Sequence, residues 1–439
     1  MDWQWFSSRC SFDSHESAWQ SCLYTAGATP AMTLDNPVIE DGTTLIDALR
    51  ANIQHVIVIV EENHSMDNLF GASLLLTDGF PIGWNLPGFT WPAPFRQSGL
   101  TPTPAPLHCA PDPLHQLQLY QAWHGGAMDR FTTSGTQTMQ YYPDATHPLY
   151  TWLAQNFAVA DRNFAPILSG TWPNRLFLYC GTNAGSLQTG TPPNNVTCAQ
   201  NIFALADSSS SMPTSSIVEW TTAHLTNPSV PDSNWWDFQE GALGWNTHSP
   251  YYVPYATFTS QLTNDTLPQL VFLDMGDGYD EHPNHGITRG ESLLHDVLTA
   301  VRDSPAWSST VVFITYDEGG GYFDHVAPPP ACAADPSATD PAGMPGFNTR
   351  YGFRVPLIVV SPWVASAGTV SRNVHSHTSI DRFIETFLNV GAMTSRDANS
   401  DAFLDVFDFR STHAPVSPPS SSFPDPTNTT TYTMQSSCP

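Results

Sequence analysis

The chain has 439 residues, with 14 Lys+Arg against 40 Asp+Glu and a formal net charge of −26. So acidic a surface argues against nucleic acid or an anionic membrane as an electrostatically held partner, and an anionic substrate would need local cations. The length suits one large α/β domain with excursions, and no apolar run is long enough to span a bilayer.

Residues 1–50 carry scattered aromatics and little periodicity, and read as an N-terminal extension. No basic segment followed by an apolar stretch follows Met1, so no secretory signal is visible. His55-Val56-Ile57-Val58-Ile59-Val60 predicts a buried strand that runs out into Glu61-Glu62-Asn63-His64-Ser65. Taken alone, that polar stretch also fits a capped turn, with Asn63 or Ser65 opening a helix. A Pro-, Gly- and aromatic-rich loop occupies 79–114, and a helix is expected around His115 to Phe131, interrupted at Gly125-Gly126. Phe157-Ala158-Val159-Ala160 predicts a second strand, ending at Asp161. Behind it, Gly170-Thr171-Trp172-Pro173-Asn174-Arg175 reads as a turn into a helix. Thr171 there is either a simple N-cap or a hydroxyl beside phosphate-binding backbone N–H groups, and Arg175 could meet an anion.

Residues 183–268 read as an insertion, with a serine run and many aromatics. Leu270-Val271-Phe272-Leu273 predicts a third strand, ending at Asp274, and 288–303 repeats its apolar positions at helical spacing. The helix leads to Val311-Val312-Phe313-Ile314-Thr315 and then to Tyr316-Asp317-Glu318-Gly319-Gly320-Gly321. Strand, helix, strand implies a βαβ unit and a parallel sheet. Residues 355–363 predict a further strand, His375-Ser376-His377-Thr378-Ser379 opens a helix running to about Leu388 with Thr378 or Ser379 as its N-cap, and a Ser/Thr/Pro-rich tail runs from 411 to 439. The seven cysteines show no C-x-x-C; they read either as free buried cysteines or as disulfides, with Cys10–Cys22 and Cys180–Cys198 the candidate pairs and an odd thiol left over.

Several strands thus end in polar groups: Glu62/Asn63, Asp161, Asp274 and Asp317/Glu318. The carboxyl edge of a parallel sheet is where open α/β folds place their sites. Adjacent carboxylates repel unless they share a proton or a cation. Their oxygens suit Ca²⁺, Mg²⁺ or Mn²⁺, and nearby histidines also allow Zn²⁺ or Fe. A metal beside a hydroxyl supports nucleophilic phosphoryl transfer, with a histidine protonating the leaving oxygen.

These stretches, in order, resemble a known family: phosphoesterases comprising bacterial phospholipases C, plant non-specific phospholipases C and a related acid phosphatase. Glu62-Asn63-His64-Ser65-Met66-Asp67 is similar to the family's E-N-(R/H)-S-(F/M)-D, and Gly170-Thr171-Trp172-Pro173-Asn174-Arg175 to its (P/G)-(T/S)-x-P-N-R. The other blocks are Asp280-Glu281-His282-Pro283, residues 315–326, Gly352-Phe353-Arg354-Val355-Pro356 with Ser361-Pro362-Trp363, and His377-Thr378-Ser379. Asp112-Pro113-Leu114-His115 looks like the family's D-P-x-H. The resemblance covers roughly 52–390 and lacks the extra C-terminal domains of the large phospholipases C.

It implies an alkaline-phosphatase-like three-layer α/β/α sandwich with a mostly parallel sheet. The catalytic domain would span 51–410, with 183–268 as an insertion or lid-like excursion. Carried over residue by residue, Glu62, Asn63, Asp317 and Glu318 would bind the metal. Thr171 would be the nucleophile, touching the metal and forming a phospho-enzyme. His282 would act as acid or phosphate ligand and His115 as the second histidine, while Arg175 and His325 stand as substrate-binding candidates. The expected activity is metal-dependent, phospholipase C-like hydrolysis of phosphoric esters, with a secreted or periplasmic location. An acid phosphatase acting on small monoesters is the alternative, and an inactive metal-binding interaction protein the remote one. His224, His248 and His377 receive no role.

Overall fold

The apolar run at 55–60 becomes β1 (His55–Glu61), buried on both faces at the middle of an eight-stranded sheet. Such a strand needs helices on both sides, which explains why its apolar residues are continuous rather than alternating. The computed structural model describes residues 22–73, 78–105, 111–189, 198, 200–208, 217–221, 252–253, 255–275, 278–410 and 423–426. Among these, the sheet is completed by β2 (Ala158–Ala160), β3 (Ile217–Thr221), β4 (Tyr252–Val253), β5 (Leu270–Asp274), β6 (Thr310–Tyr316), β7 (Leu357–Val360) and β8 (Thr369–Ser371). Their spatial order is β8-β2-β7-β6-β1-β5-β3-β4, parallel except for β7, which runs antiparallel to both its neighbours.

The helices that frame the site are α1 (Leu45–Asn52), α2 (Met66–Phe70), α3 (Gln118–Trp123), α4 (Pro148–Asn156), α5 (Thr171–Cys180), α6 (Ile287–Asp303) and α7 (His377–Leu388). They form two packed groups: α7 with α5 and α1, and α6 with α4. The sheet lies between them, giving the expected α/β/α sandwich.

Register then decides what reaches the carboxyl edge. β6 pairs with β1 from Thr310↔His55 to Tyr316↔Glu61, and β5 pairs with β1 from Leu270↔Val56 to Asp274↔Val60. Val58, Phe272 and Phe313 therefore stand level. Phe313 meets Phe383 of α7 at 5.0 Å between ring centroids, and Phe272 meets Tyr179 of α5 at 5.5 Å, so these residues share one face. Strand side chains repeat every second residue. Two residues beyond Phe272 is Asp274, four beyond Val58 is Glu62, and four beyond Phe313 is Asp317. All three carboxylates arrive on the α5/α7 face. The out-of-phase residues go the other way: the Tyr316 hydroxyl bonds Glu281, which also accepts from Tyr150 of α4 at 3.0 Å.

β5, α6 and β6 form the expected parallel crossover, with β1 lying between the two strands. Several other expectations are corrected. The helix expected from His115 to Phe131 is confined to Gln118–Trp123, and the chain turns at His124–Gly126. The cap of α7 is Ser376, in a reciprocal capping box with Ser379. Cys22 bonds Cys332 rather than Cys10, which lies outside the described residues; Cys180–Cys198 forms as expected. The first and last segments of the chain also contribute to the fold where described. Residues 43–52 form part of a hairpin and α1, and Phe423 is buried against Trp152.

The turn after β6 depends on glycine. Gly320 has φ +61°, its N–H donates to Glu318 Oε2 at 2.7 Å, and a Cβ there would collide with the Asn63 carbonyl oxygen. Gly320→Ala is expected to lower unfolding free energy by at least about 1–3 kcal/mol, the usual cost of a strained backbone. Denaturant titration checks this, and an unchanged midpoint would refute the packing argument.

Candidate active site

Arg175, one turn into α5 and fully buried, sits where the three carboxylates meet. Nη1 donates to Asp274 at 2.7 Å, Nη2 to Glu62 at 2.8 Å and Nε to Asp317 at 3.2 Å. A guanidinium presents its donors in a rigid planar fork, and here each direction meets an acid from a different strand end. Burial pushes the Glu62 and Asp317 carboxyls up and Arg175 pulls them back. The Arg175 guanidinium, which burial alone would destabilise, is held charged by Asp274, Glu62 and Asp317. The sequence reading offered Arg175 to a substrate anion. Its fork is instead engaged by protein carboxylates, which makes it the residue that fixes α5 to the sheet edge.

Asn63 lies at the centre of the next layer. With its NH₂ toward Asp317 it donates to Oδ1 at 2.7 Å and Oδ2 at 3.2 Å, and its oxygen accepts from His282 Nε2 at 3.0 Å and His115 Nε2 at 3.3 Å. With its oxygen toward Asp317, acceptor faces acceptor, an arrangement that requires a cation between them. Glu318 is completely buried and its Oε1 has no hydrogen-bond partner; the nearest positive group is His115 Nε2 at 3.5 Å. Burial raises the Glu318 carboxyl to about 8, with His115 opposing. Three acids, Glu62, Asp274 and Asp317, thus share one guanidinium, and Glu318 faces His115 instead. The orphaned Glu318 oxygen and the hard-oxygen donor set fit a divalent cation held by Glu62, Asn63, Asp317 and Glu318.

The two histidines are well anchored. His115 Nδ1 donates to the Pro113 carbonyl at 2.7 Å and lies 3.1 Å from Asp112. Burial works against its charge, but Glu318 and Asp112 raise it to about 10. His282 Nδ1 meets Asn284 Oδ1 at 2.5 Å, and the two imidazoles stand 5.6 Å apart, centroid to centroid. Asp112, His115 and His282 bring potential ligand atoms within 4.8 Å of one another. Asp112 was missed as a functional partner, although it opens the D-P-L-H block that pointed to His115.

Thr171 is the first residue of α5, capped by Gly170. The turn that presents it is shaped by Asn174, whose Oδ1 accepts from Ile167 N–H at 3.0 Å and whose amide donates to the Ser169 and Gly170 carbonyls at 2.7 and 2.9 Å. Thr171 and Arg175 are four residues apart and share a helix face. The Arg175 clamp therefore turns Thr171 toward the same sheet edge.

Other candidates lie elsewhere. His325 donates from Nδ1 to Asp67 Oδ2 at 2.8 Å and stacks on Phe95 at 4.7 Å. Arg354 joins that network, reaching Asp324 at 2.9 Å and Asp67 at 3.0 Å. His325 is therefore bound into a scaffold rather than presented to a substrate. Asp161 accepts from Arg372 at 3.1 Å, since its strand is separated from β1 by β7 and β6. His377 Nε2 donates to the Asp317 carbonyl at 2.9 Å, and burial holds its imidazole down at about 3, so a neutral ring pins the backbone beneath the site. His224 and His248 lie outside the described residues.

The sequence pattern of the phosphoesterase family matches residues 53–391. The chain belongs to this family. It is 28% identical to the non-hemolytic phospholipase C of Burkholderia pseudomallei, over 83% of this chain and 60% of that protein. Against phospholipase C B of Mycobacterium tuberculosis the identity is 28%, over 90% of this chain and 85% of the relative. Non-specific phospholipase C6 of Arabidopsis thaliana is 31% identical over 62% of this chain and 53% of its own length. The chain thus spans less than two thirds of two of these relatives. Among solved structures, the lipoteichoic acid synthase LtaP of Listeria monocytogenes aligns over 83% of this chain and 78% of its own, with TM-score 0.42 and 11% identity.

Within this phosphoesterase the motifs divide their labour. In the first block Glu62 and Asn63 face the site, while Ser65 caps α2, accepting from Asn68 N–H at 3.2 Å and donating to the Phe323 carbonyl at 2.7 Å. Replacing Arg175 by Met should leave three acids uncompensated and lower stability by about 3–5 kcal/mol, as expected when one partner of a buried ion pair is removed. Thermal unfolding tests this; wild-type stability would mean the clamp is not what holds α5 in place.

Proposed function

We propose that this phosphoesterase cleaves phosphoric diesters in the manner of a phospholipase C, through a phosphorylated Thr171. The observation that carries the reading is the Arg175 clamp, which joins Glu62, Asp274 and Asp317 one helical turn from a threonine at a helix start. When bound by Glu62, Asn63, Asp317 and Glu318, a divalent cation would neutralise phosphoryl charge and lower the pKa of a neighbouring hydroxyl.

The protein's own groups supply the rest. Thr171 gives up its hydroxyl proton to water and its Oγ1 attacks phosphorus while the bond to the leaving oxygen breaks. His282, steered through Nδ1 by Asn284, gives the leaving oxygen its proton from Nε2. His115, anchored by Asp112 and Pro113, donates to a non-bridging phosphoryl oxygen. Water then hydrolyses the phosphothreonine and frees the hydroxyl for another cycle. The names of the relatives in the bacterial and plant sequences support the diester reading. The disulfides Cys22–Cys332 and Cys180–Cys198 support an oxidising, extracytoplasmic location, secreted or periplasmic.

Thr171→Ala should reduce turnover of p-nitrophenylphosphorylcholine by at least about 1,000-fold, the scale of losing a nucleophile. Undiminished turnover would exclude the phosphothreonine. Asp317→Asn should reduce bound metal measured by elemental analysis; unchanged stoichiometry would reject the ligand set. Phosphatidylcholine, phosphocholine esters and simple monoesters should be compared side by side on the purified protein. Preference for the diesters is expected; preference for monoesters would make the protein a phosphatase, and no turnover with metal bound would leave a binding protein.

A further inference from the structure

A second cluster of metal-ligating side chains lies away from the site, where the chain runs from edge strand β8 to α7. It consists of His375, Asp401 and Asp405, whose potential ligand atoms all lie within 4.8 Å of one another. The hydrogen-bond count there is informative. Ser371 has one hydroxyl proton and donates it to Asp405 Oδ2 at 2.6 Å. Its 2.7 Å contact with His375 Nε2 must then be the reverse, with the imidazole N–H donating to the serine oxygen. A neutral ring with its proton on Nε2 carries a lone pair on Nδ1.

That Nδ1 is buried and has no hydrogen-bond partner, and His375 is 0% exposed. Its lone pair looks toward Asp401 Oδ1 at 3.5 Å, so two electron-rich atoms face each other across a gap. The ring cannot swing away, because Phe403 stacks on it at 4.0 Å with planes 15° apart. Asp401 is held in place as well: Oδ1 accepts from Phe403 N–H at 2.7 Å and Oδ2 from the Asn373 amide at 3.2 Å. A metal-binding histidine ordinarily donates its other ring N–H to a polar partner that fixes its tautomer, and Ser371, relayed to Asp405, fills that role.

We propose that His375 Nδ1, Asp401 and Asp405 form a divalent-cation site separate from the Asp317 site. One imidazole with two carboxylates favours a borderline ion such as Zn²⁺ or Mn²⁺ over Ca²⁺, which prefers oxygen ligands throughout. Asp401 and Asp405 line a groove of about 860 Å³, which provides an entry path and room for water to complete the coordination. The cation fastens the 401–405 segment to the strand that leads into α7, two residues before His377 grips the Asp317 carbonyl.

The test compares full-length wild type with Asp401→Asn/Asp405→Asn, each dialysed against Zn²⁺ or Mn²⁺ and analysed for bound metal. The double variant should hold one equivalent less, and should lose part of the Zn²⁺-dependent rise in melting temperature. Any ion at the Asp317 site is counted in both proteins, so the difference reports on this site alone. Asp405→Asn, at an exposed position, is the second variant should the double substitution impair folding, and weaker retention of the same equivalent is expected from it. Equal metal content in wild type and variants would overturn the site.

Discussion

One buried guanidinium holds this site together. Glu62, Asp274 and Asp317 come from the ends of three adjacent parallel strands, and strand spacing alone would bring three like charges within a few ångströms. Arg175 makes that arrangement tolerable by giving each acid a donor from a different edge of one planar group. A lysine could not replace it, because an ammonium has no fixed fork to span three strands. The clamp remains incomplete in charge: Glu318 keeps an orphaned oxygen, and the Asn63 amide can turn its oxygen to Asp317 only if a cation stands between them. That excess of negative charge is what a divalent cation, as proposed, would offset.

Around that centre the fold builds two supporting frameworks. On one side, Asp112 and the Pro113 carbonyl hold His115 while Asn284 holds His282, so both imidazoles present Nε2 toward Asn63. Behind it, Asp67, Asp324, His325 and Arg354 form an ion network tying α2 to the loop after β6. That network draws on the same sequence blocks as the chemistry. Residues adjacent in a motif can thus serve opposite ends of the structure, as Asn63 and Ser65 do. Gly320 connects the two, since only a glycine lets the chain pass so close to the Asn63 carbonyl.

The family assignment and the geometry bear on different questions. Membership in the phosphoesterase family places the chain beside relatives named phospholipases C of bacteria and plants. The geometry bears on how individual residues contribute. It moves Arg175 from substrate to scaffold and separates His325 from the two site histidines. It gives His377 a role beneath the Asp317 backbone, which no pattern in the sequence suggested.

Much of this was legible in the sequence because local rules dominate there. Continuous β-branched runs marked β1 and β6 almost to the residue, helical spacing marked α6, and the carboxylates after each strand marked the functional edge. Those signals depend on near neighbours in the chain, so periodicity and composition capture them. What the sequence left open depended on strand order and register. Asp161 ends a strand as Asp274 does, yet it pairs with Arg372, because β7 and β6 separate its strand from β1. Cys22 found Cys332 across 310 positions, a pairing that no local spacing encodes. The meaning of Arg175 followed the same logic: four residues after a threonine it reads as an anion-binding group. Only the register of three strands, which aligns three acids on one face, turns it into the bond between helix and sheet.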